Sequence, residues 1–247
     1  MKLEKSRIKE NTCIALDTFK MVLASTLGKE MEPGQFINIK VDGYTLRRPI
    51  SISDIEEDTY TIIYKVVGEG TKVLASMQKD DEIDIIGPLG SGFPIHEEQD
   101  HILIVGGGVG VPPLYEVAKR YRALHKDVEV VLGFNDQESI FYENEFKALG
   151  CKVNIATMDG SYGTKGSVID AIEAQAISNS FVYSCGPMPM LKALEAKYTM
   201  GYTSFEARMA CGIGACMGCV CKDKEDGDLY YRICKEGPVF PIGKVGL

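Results

Sequence analysis

Four cysteines near the end of the chain limit what it can fold into more than any other feature. Cys211 and Cys216 are separated by four residues, Cys216 and Cys219 by two, and Cys234 follows after another fourteen. Thiolates are soft donors that suit iron–sulfur centres or zinc. C-x4-C-x2-C with a distant fourth cysteine is the spacing of plant-type [2Fe–2S] sites. The intervening Gly212, Gly214, Ala215 and Gly218 are small, as a backbone wrapped close to inorganic sulfide requires. Structural zinc sites more often join two C-x2-C knuckles, so the four-residue arm is unusual for them. The expected ligands are Cys211, Cys216, Cys219 and Cys234, with a zinc staple as the alternative. Cys221 is surplus and is expected to stay unligated.

Cys13, Cys151 and Cys185 are scattered along the remaining sequence. A disulfide framework would spread bridges over a small secreted chain, whereas clustering in one terminal segment points to a metal centre. That segment, 201–247, has few apolar side chains and needs such a centre to fold. The net charge of -8 and the lack of a basic arm disfavour nucleic acid. The N-terminal stretch Met1–Glu10 is charged throughout, and no apolar run approaches the ~20 residues of a membrane span. A soluble, cytoplasmic protein is expected.

Two further zones precede the cysteines. Residues 1–98 read as an antiparallel β-barrel domain, with runs at Phe19–Ser25, Gln35–Val41, Thr59–Val67 and Glu82–Ile86. Pro33-Gly34, Asp42-Gly43 and Gly87-Pro88 punctuate them as turns. Ile37, Ile39 and Val41 share one face, which suits a barrel wall with one buried side. A helix is expected around Thr71–Met77. Residues 99–200 alternate strand and helix: 101–105, 128–132, 153–156 and 181–184 as strands, 111–124, 141–149, 167–177 and 188–197 as helices. This is the pattern of a doubly wound α/β parallel sheet.

The first strand of that series runs into Gly106-Gly-Gly-Val-Gly-Val-Pro-Pro113. Glycines there let a diphosphate approach the backbone, and the helix start offers free N–H groups and a positive dipole end. Pro112 and Pro113 suit a first helical turn. The plain alternative is a tight turn, but its place at the head of a β/α series favours dinucleotide binding. The next strand ends in Asn135-Asp136-Gln137-Glu138, acidic and amide groups where an NADP site would place Arg or Lys. NAD is therefore expected, with Asp136 at the ribose end; the alternative is that Asp136 and Glu138 are solvated loop charges.

Arg48-Pro49-Ile50-Ser51, Gly70-Thr71, Gly108-x-Gly110-x-x-Pro113 and Cys185-Gly186-Pro187, in that order, resemble the ferredoxin–NADP reductase superfamily. Leu46–Ile52 and Met209–Cys219 narrow the resemblance to the electron-transfer subunits of class 1B, NAD-dependent dihydroorotate dehydrogenase. The resemblance implies that Arg48 pairs with a phosphate of FAD and that Pro49, Ile50 and Ser51 border the flavin, Ser51 near N5. It implies that Ile63, Tyr64 and Lys65 line the flavin, and that Gly70 and Thr71 hold the diphosphate. Gly108, Gly110, Pro113, Asp136, Cys185, Gly186 and Pro187 would meet NAD, with Ser51 and Cys185 flanking the hydride transfer. Many superfamily members carry an aromatic residue where Ile50 stands. In isolation Arg48 reads as a surface arginine, Ser51 as a strand serine and Cys185 as a core thiol.

A hydride carrier and a one-electron cluster need a converter between them, and a flavin is one. No Ser/His/Asp set is present, and His96, His101 and His125 read as linker and surface residues. No proton-transfer catalyst is assigned. The resemblance implies a pyrimidine-biosynthesis oxidoreductase that takes electrons from an FMN-containing catalytic subunit and delivers them through [2Fe–2S] and FAD to NAD+. It implies a heterotetramer with two copies of each chain. Alternatives are a ferredoxin-, hydrogenase- or sulfide-dehydrogenase-type reductase subunit and, from another class, a zinc-stapled nucleotide-binding module.

Overall fold

Short strands separated by tight turns leave unpaired edges unless the sheet closes on itself. In the computed structural model, which describes residues 1–178 and 180–246, the first six strands close. They are β1 (Lys2–Ala15), β2 (Thr18–Ala24), β3 (Phe36–Ile39), β4 (Arg48–Ile55), β5 (Thr59–Lys65) and β6 (Glu82–Leu89). The antiparallel barrel runs in the order β1-β2-β5-β4-β3-β6, and α1 (Glu69–Ser76) links β5 to β6. Ile8, Met21, Leu23, Ile37, Ile52 and Ile62, all fully buried, fill its interior.

Three details differ from the sequence expectation. β1 lies outside the expected runs, because along its charged length only Ser6 and Ile8 are buried. β3 is buried on both faces rather than one. Ile37 and Ile39 join the barrel core, while Phe36 and Asn38 lie under the C-terminal segment. Gly87-Pro88 is not a turn but lies within β6, where a Cβ on Gly87 would come within 2.8 Å of the Ile37 side chain.

The second sheet is built from β7 (His101–Gly107), β8 (Asp127–Phe134), β9 (Lys152–Thr157), β10 (Thr164–Lys165), β11 (Phe181–Cys185) and β12 (Met200–Ser204). It also includes β15 (Val239–Pro241), and its order is β10-β9-β8-β7-β11-β12-β15. All pairs are parallel except β12 with β15. The apolar run at 101–105 reflects burial on both faces. Ile102 and Ile104 pack with α2 (Pro112–Ala123), while Leu103 and Val105 pack with α4 (Val168–Ala174) and α5 (Met188–Lys197). α3 (Glu143–Ala148) adds Phe146 to the first face.

Helix α2 also fastens the sheet to the barrel. Lys119 Nζ reaches Asp54 Oδ1 at 2.6 Å and the Ile55 carbonyl at 3.0 Å. The buried Glu116 carboxylate accepts from the Ile55 amide at 3.0 Å. Desolvation raises its pKa despite the opposing bond from Arg120.

After β12 the chain leaves the sheet, crosses the outer barrel face and forms the hairpin of β13 (Val220–Lys222) and β14 (Tyr230–Arg232) before returning as β15. Phe205, Ile233 and Phe240 pack there with Phe36, Leu89, Cys219 and Cys234. His96, read as a linker residue, lies between β6 and β7 and is stacked on Tyr202 with its Nε2 3.0 Å from the Tyr202 hydroxyl. Among the described residues no helix is long and apolar enough to cross a membrane.

Candidate cofactor and cluster sites

The carboxyl ends of parallel strands are where an open α/β sheet leaves a crevice. Here a cavity of about 620 Å³ opens over the ends of β7, β8 and β11, within the usual size range of ligand pockets. Gly107, Gly108 and Gly110 form its floor, together with Gly186, Pro187, Asn135, Ser139, Met158 and Ser167. Gly108 adopts φ +52, and α2 begins with prolines at its first turn. A Cβ on Gly110 would lie 2.3 Å from the Cys185 carbonyl oxygen. The two turns are in backbone contact there, and only glycine permits it. Bare backbone at a helix start fits a dinucleotide diphosphate.

Cys185, Pro113 and Asp136 do not line this cavity. The Cys185 thiol is buried and bonded toward Ser204, and desolvation raises its pKa strongly. Pro113 is buried in the first turn of α2. The Asp136 carboxylate caps its own turn by accepting from the Ser139 amide at 2.9 Å. Asn135 and Ser139 face the cavity instead.

A second cleft, about 220 Å³, adjoins the first and shares Lys65, Val109 and Glu206 with it. Pro49, Ile50, Ser51, Ile63, Tyr64, Lys65 and Thr71 all line it. Strand register explains Pro49 and Ser51: Phe36 pairs with Ser51 and Asn38 with Pro49, so this face of β3 and β4 is the floor of the cleft. Ile50 instead pairs with Ile37 on the barrel side and reaches the cleft only at its border. Tyr64 is otherwise sunk in the barrel, its hydroxyl donating to Asn11 at 2.9 Å. Arg48 stands just outside, its guanidinium 4.8 Å from the Tyr44 ring centroid. A Cβ on Gly70 would lie 2.5 Å from Arg48 Nε, so the cation sits at the start of α1. Thr71 Oγ1 accepts from the Val67 and Gly68 amides. A fixed cation at a helix N-terminus is a phosphate site by charge and by free N–H groups, and it fits FAD.

Glu206 was missed by sequence reasoning. It lines both cavities, arriving from the end of β12. Part of the residue is open to solvent, yet surrounding protein desolvates the carboxyl and raises its pKa. An isolated Glu after a buried strand end was the one available signal.

The thiols approach in pairs, Cys211 with Cys216 and Cys219 with Cys234. Among the described residues no three His, Cys, Asp or Glu are gathered around a single point as one metal ion would require. Two thiols for each iron is the arrangement that a four-cysteine two-iron centre takes. The Gly214 amide donates to Cys234 Sγ at 3.2 Å, and the Cys234 amide to Cys219 Sγ at 3.4 Å. Burial opposes ionisation of Cys211, but bonds from the Ile213 amide, Cys216 and the Ala215 amide outweigh it and lower its pKa to about 6. Burial, reinforced by Cys219, pushes Cys234 up to about 12. Cys221 instead points its Sγ toward the Tyr231 carbonyl at 3.7 Å.

Comparison with known proteins decides the family. The family model described as the iron-sulfur cluster binding domain of dihydroorotate dehydrogenase B matches residues 206–246, and an oxidoreductase NAD-binding domain matches 104–196. The dihydroorotate dehydrogenase B (NAD(+)) electron transfer subunit of Fusobacterium nucleatum is 50% identical over 97% of both chains. Its counterpart in Lysinibacillus sphaericus is 46% identical over 99% of this chain and 98% of its own. The chain belongs to this family of dihydroorotate dehydrogenase B electron transfer subunits.

As a family member it is an oxidoreductase subunit with FAD and an iron–sulfur cluster as cofactors and NAD as substrate. The zinc-stapled alternative is not favoured. A solved NADH-dependent reduced ferredoxin-NADP oxidoreductase is 29% identical, with TM-score 0.87 over 98% of this chain and 89% of that one. The FAD/NAD-binding domain of nitric oxide dioxygenase from Vibrio cholerae, 19% identical with TM-score 0.66 over 78% of this chain and 91% of its own, shares the fold.

Proposed function

We propose that the three sites form one contiguous electron route, and that their contiguity is what suits the chain to its role. Lys65, Val109 and Glu206 border both the dinucleotide cavity and the flavin cleft. Phe36 and Met209 border both the flavin cleft and the core around Cys219 and Cys234. FAD held in the cleft would supply the conversion between hydride exchange with nicotinamide and single-electron exchange with a [2Fe–2S] cluster. The chain's residues supply place and charge. Arg48, with Gly70 and Thr71, would hold the FAD phosphates at the start of α1. Pro49, Ile50, Ser51, Ile63, Tyr64 and Lys65 would border the flavin. Gly108, Gly110, Gly186 and Pro187 would let NAD approach the backbone. Cys211 and Cys216 would hold one iron, Cys219 and Cys234 the other.

The partner is an FMN-containing dihydroorotate dehydrogenase catalytic subunit, met in the cytoplasm and joined as a heterotetramer. Around the cysteines Ile213, Met217, Val220, Leu229 and Tyr230 are exposed, Met217 at 64%. Exposed apolar side chains of this kind suit a protein contact and support a partner docked over the cluster segment. The test is reconstitution with that catalytic subunit. Orotate formation coupled to NAD+ should appear only in the mixture and vanish with Cys219→Ser, while NADH oxidation by small dyes persists. Dihydroorotate oxidation by the isolated chain, or coupled activity without the cluster, would overturn the arrangement.

A further inference from the structure

Asn38 lies on the outer face of β3 and is 1% exposed. Its Nδ2 donates to the Cys211 carbonyl oxygen at 3.2 Å. Its Oδ1, equally buried, has no hydrogen-bond partner among the described residues. An amide oxygen stripped of water without a partner is costly, and folded proteins keep few such groups. Leucine has nearly the same shape and would incur no such penalty. The asparagine therefore does not serve the packing of the barrel. Its donor is what the site uses, and the orphan acceptor comes with it.

That donor reaches the loop bearing the first two thiols. A Cβ on Gly212, where φ is +66, would lie 2.3 Å from Asn38 Nδ2. The amide thus rests flush against the Cys211–Gly212 peptide. The loop is tied a second time at Gly214, whose carbonyl accepts from Arg232 Nη1 at 2.6 Å. Arg232 is in turn gripped by Glu236 at 2.6 and 3.2 Å, but both belong to the C-terminal segment itself. Among the described residues, the Asn38 bond is the one side-chain hydrogen bond from the barrel to residues 211–219. Across the β3–β4 ladder Asn38 faces Pro49 and Phe36 faces Ser51, and Phe36, Pro49 and Ser51 line the flavin cleft. The strand that floors the cleft also holds the loop.

We propose that Asn38 is a positioning residue for the iron–sulfur cluster. By holding the Cys211 carbonyl it sets the first thiolate, and hence the cluster, at a fixed place relative to the flavin. This rests on the reading of Cys211, Cys216, Cys219 and Cys234 as ligands. Outer partners that orient metal ligands typically change metal retention by ~10–100-fold when lost, and hydrogen bonding around a cluster sets its potential.

The experiment uses the full chain purified with its cofactors, as wild type, Asn38→Leu, Asn38→Ala and Ile37→Val. Iron release to a chelator and the EPR-monitored cluster midpoint are measured on each, with thermal unfolding of the cluster-free chain alongside. Asn38→Leu should release iron about tenfold faster with a shifted midpoint, while its cluster-free melting temperature equals or exceeds wild type. Asn38→Ala reports the same release and midpoint change should the leucine variant fail to fold. Ile37→Val, on the opposite face of the strand, should lower melting without altering either cluster readout. Wild-type release and midpoint in both Asn38 variants, or a loss that Ile37→Val reproduces, would overturn the inference. Absence of iron and sulfide from the wild type would instead overturn the ligand reading beneath it.

Discussion

Gly110→Ala isolates the geometry of the dinucleotide cavity from its chemistry. The new methyl carbon would stand 2.3 Å from the Cys185 carbonyl oxygen and 2.5 Å from both the Cys185 carbonyl carbon and the Gly186 nitrogen. An ordinary carbon–oxygen contact is roughly 3.3 Å, so the turn after β7 and the turn after β11 must separate by about 1 Å. Both are backbone, so no side chain can yield. Overpacking of this kind costs about 1–3 kcal/mol, which the fold should survive. Catalysis is less tolerant, since a misplacement of ~1 Å can lower a rate by about 100-fold. With FAD and iron contents unchanged, kcat/KM for NADH-dependent dye reduction should fall by about that factor. Gly108→Ala is the comparison. Its Cβ would meet no protein atom within 4 Å, so within the fold it bears only the strain of φ +52, about 1–2 kcal/mol and at most about thirtyfold in kcat/KM. The reasoning fails if Gly110→Ala stays within threefold of wild type.

Three further outcomes are expected. Iron and acid-labile sulfide should each amount to about two per chain; Cys216→Ser should lose them and Cys221→Ser retain them, and bleaching by the latter would show that Cys221 is a ligand. NADH should exceed NADPH in kcat/KM for dye reduction, because the loop ending β8 turns Asn135 to the cavity and offers no cation for a 2′-phosphate; parity between the two nucleotides would refute that reading. Asp223 is held below the ordinary carboxylate range by Lys244, then by the Asp226 and Glu225 amides and the Tyr231 hydroxyl. A depressed folded pKa contributes stability above the unfolded value and loses it as pH falls toward the folded one. The melting-temperature gap between wild type and Asp223→Asn should therefore be full near neutrality and shrink below pH ~4; a gap that widens in acid would contradict this.

Much of this architecture is visible in the residues themselves. Strands β7, β8, β9 and β11 announce themselves as apolar runs because helices cover both faces of their sheet, and the glycine and proline punctuation marks where each run ends. The cysteine spacing and the Arg48–Ser51 stretch are short-range patterns, so they too can be read along the chain. Lys2–Ala15 is not legible, since a barrel wall that faces water on most of its length shows no apolar alternation. The second buried face of β3 is equally hidden, because what covers Phe36 and Asn38 is a segment more than 160 residues away. Distance in sequence hides Glu206, Ser139 and Met158 as well, for they reach the cavity only once the sheet has assembled. Asp136 misleads in the opposite direction: its charge suggests a ribose contact, while its carboxylate is spent on the Ser139 amide.

The pairing of β12 with β15 gives the cluster segment a closed base. Tyr202, Thr203 and Ser204 are laddered to Pro241, Phe240 and Val239, and everything between is a single excursion that leaves the sheet and returns beside its point of departure. A redox group on a free tail can swing between donor and acceptor, and its rate then follows the tether. One borne on such an excursion has no reach. It works as a stationary port, so any partner must bring its own centre to that place, and the rate of transfer is set by how well two rigid surfaces fit.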